Sequence, residues 1–170
     1  MTNTDRRPPD ADLVKVLFYP NDDYYTTPEA LWAKPLGDDT YRILNSPFFF
    51  YGVSFEDTVR AAPASDGMLE FQEVVERSGS STYRLMVREG VEQEQFDSFW
   101  QPLSELGCTL ERAKGRFYAI DVPPGADLDQ ATALLANGET QGVWDWEEGH
   151  RHAQTKVSLT RPRRRRGAPG

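Results

Sequence analysis

One cysteine and two histidines among 170 residues leave little material for metal or redox chemistry. Cys108 standing alone excludes an internal disulfide framework and any multi-cysteine zinc or iron–sulfur site. No apolar run approaches the roughly 18 residues of a membrane-crossing helix, and no charged-then-apolar leader opens the chain. Those two absences predict a cytoplasmic protein. Familiar catalytic signatures are missing as well: there is no Gly-x-Ser-x-Gly elbow, no glycine-rich phosphate loop with its lysine, and no Gly-x-Gly-x-x-Gly. Positive charge is scarce in the body of the chain. Residues 1–150 carry 12 Lys and Arg against all 27 Asp and Glu, so a globally basic nucleic-acid binder is ruled out.

The last twenty residues reverse that balance, with seven cations and no carboxylate. Their Arg run is flanked by proline and glycine and has few apolar residues to offset ordering entropy, so residues 151–170 read as a disordered tail. Arg161, Arg163, Arg164, Arg165 and Arg166 are suited to weak contact with RNA or an anionic surface. The same tail also has its own acidic body to fold back on. Residues 1–11, with Pro8-Pro9, read as a flexible start.

Between these ends the hydrophobic period changes once. From Leu13 to Arg77 it is strand-like: Leu13–Tyr19, Glu29–Leu36, Thr40–Leu44, Asp57–Ala62 and Met68–Glu76 are short apolar or alternating runs. Gly37-Asp38-Asp39 suits a hairpin loop. Five short strands in such a span predict a small SH3-like β-barrel or curled sheet over residues 12–78. After the alternating Ser81–Arg88, Phe96, Phe99, Trp100, Leu103 and Leu106 recur with helical spacing, Gly107 follows, and Pro102 predicts a kink or late start. Cys108–Arg112 and Arg116–Val122 read as strands around Lys114-Gly115. Asp127 caps a second helix, with Gln130 three residues on; Leu128, Ala131, Leu134 and Leu135 are its buried face, Gly138 ends it, and Val143–Glu148 is a last strand. The order strand–helix–strand–strand–helix–strand predicts a ferredoxin-like βαββαβ unit over residues 79–150. The fold class is therefore α+β.

Four stretches carry a resemblance: Leu31-Trp-Ala-Lys-Pro-Leu-Gly-Asp, Asn45-Ser-Pro-Phe-Phe-Phe-Tyr-Gly-Val-Ser, Val74-Val-Glu-Arg-Ser-Gly-Ser-Ser-Thr and Trp144-Asp-Trp-Glu-Glu-Gly-His. Together they resemble the domain-of-unknown-function 4265 family. The resemblance implies a bacterial origin and one integrated fold unit over most of residues 13–150, and it brings no activity with it.

Three groups of residues are candidates for a site. Trp144, Trp146, Glu148, His150 and His152 share one face if strand geometry persists, which would make Glu148, His150 and His152 a His₂-carboxylate set for a divalent metal. Against that reading, Gly149 invites a break, and histidines at the edge of a tail are ordinarily solvated. Second, Phe48, Phe49, Phe50 and Tyr51 cannot all point one way from an extended segment. The run either threads between the two halves, burying both faces, or joins Trp144 and Trp146 in lining a ligand pocket. Third, Glu92, Glu94, Asp97, Asp145 and Glu147 are carboxylates on a helix and a strand face of an acidic body. Cys108, at a strand start, reads as a buried, inert thiol. With no catalytic set in evidence, the expected function is a non-enzymatic binding protein that needs no cofactor. Its acidic surface would cover a basic protein partner, as an inhibitor or immunity-type protein does. The competing reading is a small-molecule-binding protein or accessory enzyme using the aromatic pocket with Glu148, His150 and His152.

Overall fold

The computed structural model describes residues 12–153, so the expectations for residues 1–11 and for the Arg run lie outside the described residues. Strands β1 (Val14–Phe18), β2 (Glu29–Gly37), β3 (Thr40–Ile43), β4 (Thr58–Pro63) and β5 (Leu69–Glu76) close into a barrel in sequence order. Neighbours pair antiparallel, and β5 closes onto β1 in parallel, with Val16 opposite Leu69. Period-2 alternation sends Val16, Phe18, Leu31, Ala33, Ile43, Val59 and Ala61 inward as the barrel core. The β2–β3 connection turns on Asp38 (φ 52°) and Asp39 (φ 58°). Both central residues are left-handed, as the twist of a tight hairpin requires, and short acidic side chains tolerate that region.

The second half continues as β6 (Ser81–Val87), α1 (Gln93–Glu105), β7 (Thr109–Arg112), β8 (Phe117–Val122), α2 (Leu128–Thr140) and β9 (Trp144–His150). Its four strands form an antiparallel sheet in the order β7-β8-β6-β9. Tyr83, Leu85, Val87, Tyr118, Ile120, Val122, Trp144 and Trp146 face Phe96, Leu103, Leu128, Ala131 and Leu135 of the helices in one buried cluster. The Asp127 carboxylate caps α2, accepting from the Gln130 backbone N–H at 2.9 Å. Pro102 lies in the last turns of a helix that runs on through it. Among the described residues no helix is long and apolar enough to cross a membrane.

Gly138 does not end α2; the helix continues to Thr140, and Gly142 (φ 77°) follows it. The glycine serves packing instead. A Cβ at 138 would lie 2.2 Å from Trp144 Cε2, and the indole Nε1 that fills this space donates to the Leu135 carbonyl at 2.9 Å. Strand β9 also runs past the expected Glu148. Arg151 and His152, assigned to the tail from sequence, are packed: Arg151 donates to Asp129 at 2.8 Å, and the His152 N–H to Ser81 Oγ at 2.9 Å.

Candidate functional site: a buried polar seam

The second face of the sheet carries Thr82, Arg84 and Met86 from β6, Phe117, Ala119 and Asp121 from β8, Glu111 from β7, and Asp145 and Glu147 from β9. Alternation alone would give this polar face to solvent. The barrel and residues 44–57 cover it.

Arg84 and Glu147 are cross-strand neighbours in the ladder, and their side chains are 0% and 3% exposed. The guanidinium Nη1 lies 3.5 Å from Glu147 Oε1; Nε donates to the Pro47 carbonyl at 3.2 Å and Nη2 to the Phe50 carbonyl. The carboxylate accepts from the Tyr25 hydroxyl at 2.6 Å and the Tyr51 hydroxyl at 2.8 Å. Burial, then the adjacent carboxylate, holds both phenols far above their ordinary pKa, so they remain donors. The Tyr51 ring centroid is 4.5 Å from the guanidinium carbon, a cation–π contact. Tyr51 is fixed in turn by Asn21, whose amide donates to the Tyr51 carbonyl at 2.8 Å and accepts from its N–H at 3.0 Å.

Glu29 opens β2 on the inward register of Leu31 and Ala33 and is buried. Its carboxylate accepts three consecutive backbone N–H groups, from Phe48 at 2.9 Å, Phe49 at 2.9 Å and Phe50 at 2.8 Å. Burial raises the Glu29 pKa, and these three donors oppose the rise. With its backbone pinned this way, the aromatic run divides its side chains. Phe48 packs on Phe117 and Ala119 of the sheet, and Phe50 enters the barrel core against Phe18 and Phe71. The run threads between barrel and sheet.

A third part of the seam is acidic. Asp57 is fully buried and accepts from the N–H groups of Ser54 at 2.9 Å and Ser78 at 2.8 Å, with Arg77 at 3.1 Å. Beside it, Ser54 Oγ and Thr82 Oγ1 are 2.7 Å apart. Asp121 is 7% exposed and its Oδ1 has no hydrogen-bond partner. Burial pushes its pKa up to about 6 and that of Glu111 to about 7, although the Ser46 N–H reaches Glu111 Oε2 at 3.3 Å. Sequence reasoning missed Glu29, Asp57, Arg84, Glu111 and Asp121. The one signal available was Glu29 in phase with Leu31 and Ala33.

The predicted sites fare unevenly. Glu92, Glu94 and Asp97 are exposed at the start of α1. Asp145 is half exposed and paired with Arg88 at 2.8 Å. Glu147 is withdrawn from this set: the barrel covers its face of β9, and the carboxylate is spent on Arg84 and two tyrosines. The aromatic pocket does not assemble either, because Trp144 and Trp146 lie under the helices, across the sheet from Phe48 and Tyr51. The His₂-carboxylate set is broken by a bulge. Tyr83 pairs with Glu148 and Thr82 with His150, leaving Gly149 as the extra residue. Glu148 therefore acts on the Tyr83 phenol, whereas His150 feels Arg77 and Asp57 at the barrel. Burial lowers the His150 pKa to about 4. Among the described residues no three His, Cys, Asp or Glu side chains are grouped to hold a metal. A Cβ at Gly149 would lie 3.3 Å from the Arg84 guanidinium carbon, and its carbonyl accepts from the Gly52 N–H at 3.0 Å, so the bulge itself belongs to the seam. A cleft of about 460 Å³ lies at the end of the sheet, lined by Gly79, Ser81, Val122, Pro123, Leu128 and His152 among others. Cys108 is buried, with burial pushing its thiol up to about 11.

The model of the family described as "Domain of unknown function (DUF4265)" matches residues 29–146, from the first residue of β2 into β9. The chain belongs to the DUF4265 family. The matched span holds Glu29, the aromatic run, Arg84, Glu111 and Asp121, so most of the seam lies inside the DUF4265 unit. Among solved structures the chain is similar to a hypothetical protein from Neisseria gonorrhoeae, reported as a novel crystal structure. The TM-score is 0.70 at 17% identity, over 84% of this chain and 96% of that one. That likeness extends to the fold alone. No curated protein matches the chain.

Proposed function

We propose that this DUF4265 protein is a non-enzymatic cytoplasmic binding protein whose acidic surface covers a basic protein partner, in the manner of an inhibitor or immunity protein. Its barrel is read as SH3-like and its βαββαβ half as ferredoxin-like, two small units joined into one rigid support. The observation that carries the reading is the segment from Glu89 to Asp97. Glu89, Glu92, Glu94 and Asp97 are all exposed there, and none is in an ion pair among the described residues. Such a concentration steers a cationic partner and sets its orientation on arrival. Asp145, half occupied by Arg88, extends the patch, and Glu147 does not take part. The Arg161–Arg166 segment, and any contact it makes with RNA or an anionic surface, lies outside the described residues.

The test is capture by the immobilised full-length chain across a salt series, comparing wild type with the triple variant Glu92→Lys, Glu94→Lys, Asp97→Lys. Wild type is expected to retain a basic protein that is lost as salt rises, and the triple variant to bind it about tenfold more weakly or worse, with a flatter salt dependence. Equal retention and equal salt dependence in the two proteins would overturn the reading.

A further inference from the structure

Two carboxylates on the covered face of the sheet have no ion pair among the described residues. Asp121, on β8, is buried; the Ser80 side chain hydrogen-bonds to its carboxylate, and Oδ1 is unpartnered among the described residues. Glu111, on β7, has the long contact from the Ser46 N–H across the seam and a hydrogen bond from the Asn45 side chain, and burial outweighs both. The groups around them are mostly acidic. The barrel side presents Glu56 and Asp57 to Asp121 and Glu29 to Glu111, and Asp121 also acts on Glu111. The nearby cations are committed elsewhere: Arg77 to Asp57 and the Gly52 carbonyl, Arg84 to Glu147 and two carbonyls. His150 lies across Thr82 from Asp121 in the ladder and is held neutral by burial. With both carboxylates ionised, the closed seam therefore holds negative charge on the sheet that no cation among the described residues pairs with. Such an arrangement is costly in a low dielectric, and opening to water relieves it.

We propose that the barrel–sheet seam is a proton-operated latch, closed while Asp121 and Glu111 are protonated and loosened when both ionise.

Each carboxyl holds its proton to higher pH in the closed seam than in an open one, so closure is favoured at low pH and weakened as pH rises through about 6 for Asp121 and about 7 for Glu111. His150 works the other way, since an open seam lets it bind a proton near its ordinary value of 6.5. Half of its protonation remains at pH 6.5, and the loss of that half by pH 8.5 lowers opening about twofold, against the larger rise from the carboxylates. This inference does not depend on the binding role, because its readout is the seam itself.

The experiment is hydrogen–deuterium exchange of the Asn45–Val53 backbone in the full chain at several pH values, each rate divided by the intrinsic exchange rate at that pH. Between pH 6.5 and 8.5 the opening constant of this segment should rise roughly two- to threefold in wild type, the carboxylates outweighing His150. In the double variant Glu111→Gln, Asp121→Asn it should be lower and fall about twofold over the same interval, since the amides mimic the protonated acids in size and shape and only His150 is left to titrate. The single variant Glu111→Gln should remove the rise altogether. A flat wild-type profile, or an undiminished rise in the double variant, would refute the latch.

Discussion

Replacing Arg84 with Ala is expected to remove about 3–5 kcal/mol of unfolding free energy, read as a fall in the denaturant midpoint at unchanged slope. The size follows from what remains behind. Glu147 would stay buried beneath the barrel with two phenols and no positive charge, and the Pro47 and Phe50 carbonyls would lose their donor. Stranding one charge costs far more than the pair contributes, because desolvation is already spent on both partners. The double variant Arg84→Met with Glu147→Gln should therefore fall well short of the sum of the two single losses, as expected for groups coupled in one network. Additive losses would mean that the two side chains act separately.

The Glu29→Ala variant is expected to lose about 3–5 kcal/mol, because three backbone donors would lose one shared acceptor and a buried unpaired donor costs about 1–3 kcal/mol. Phe49 is half-buried and can recover water, whereas Phe48 and Phe50 cannot. Glu29→Gln should recover about half of this: Oε1 keeps its bonds from Phe49 and Phe50, but an amide NH₂ would face the Phe48 N–H. Chemical denaturation of both variants checks the order. Equal midpoints for Glu29→Ala and wild type would mean that packing of the aromatic rings alone fixes residues 48–50.

Local signals carried the strands and helices well. The strand ends, the Asp38-Asp39 turn and the Asp127–Gln130 cap are decided by residues within four positions of one another, which a linear reading sees. Gly138 shows where such reading stops: a glycine near a helix end has the chemistry of a terminator, and only the arrival of Trp144 from the next strand reveals a packing site. The seam is the larger case. Thr82, Arg84, Asp145 and Glu147 occupy the polar phase of their strands, the pattern of a sheet face open to water. A second unit lies over that face, and this is a property of long-range packing that no periodicity encodes. The bulge at Gly149 likewise inverts the alternation on which the Glu148, His150 and His152 set depended. Glu92, Glu94 and Asp97 were legible as exposed because α1 keeps its apolar stripe elsewhere.

Barrel and sheet are fused through this buried polar face, and such a junction makes them one cooperative unit. Scanning calorimetry of the full chain, with Arg84→Ala beside wild type, tests it most directly. A single transition is expected, with agreeing calorimetric and van't Hoff enthalpies, displaced as a whole to lower temperature in the variant. Two resolved transitions, or a variant in which only one part moves, would contradict it.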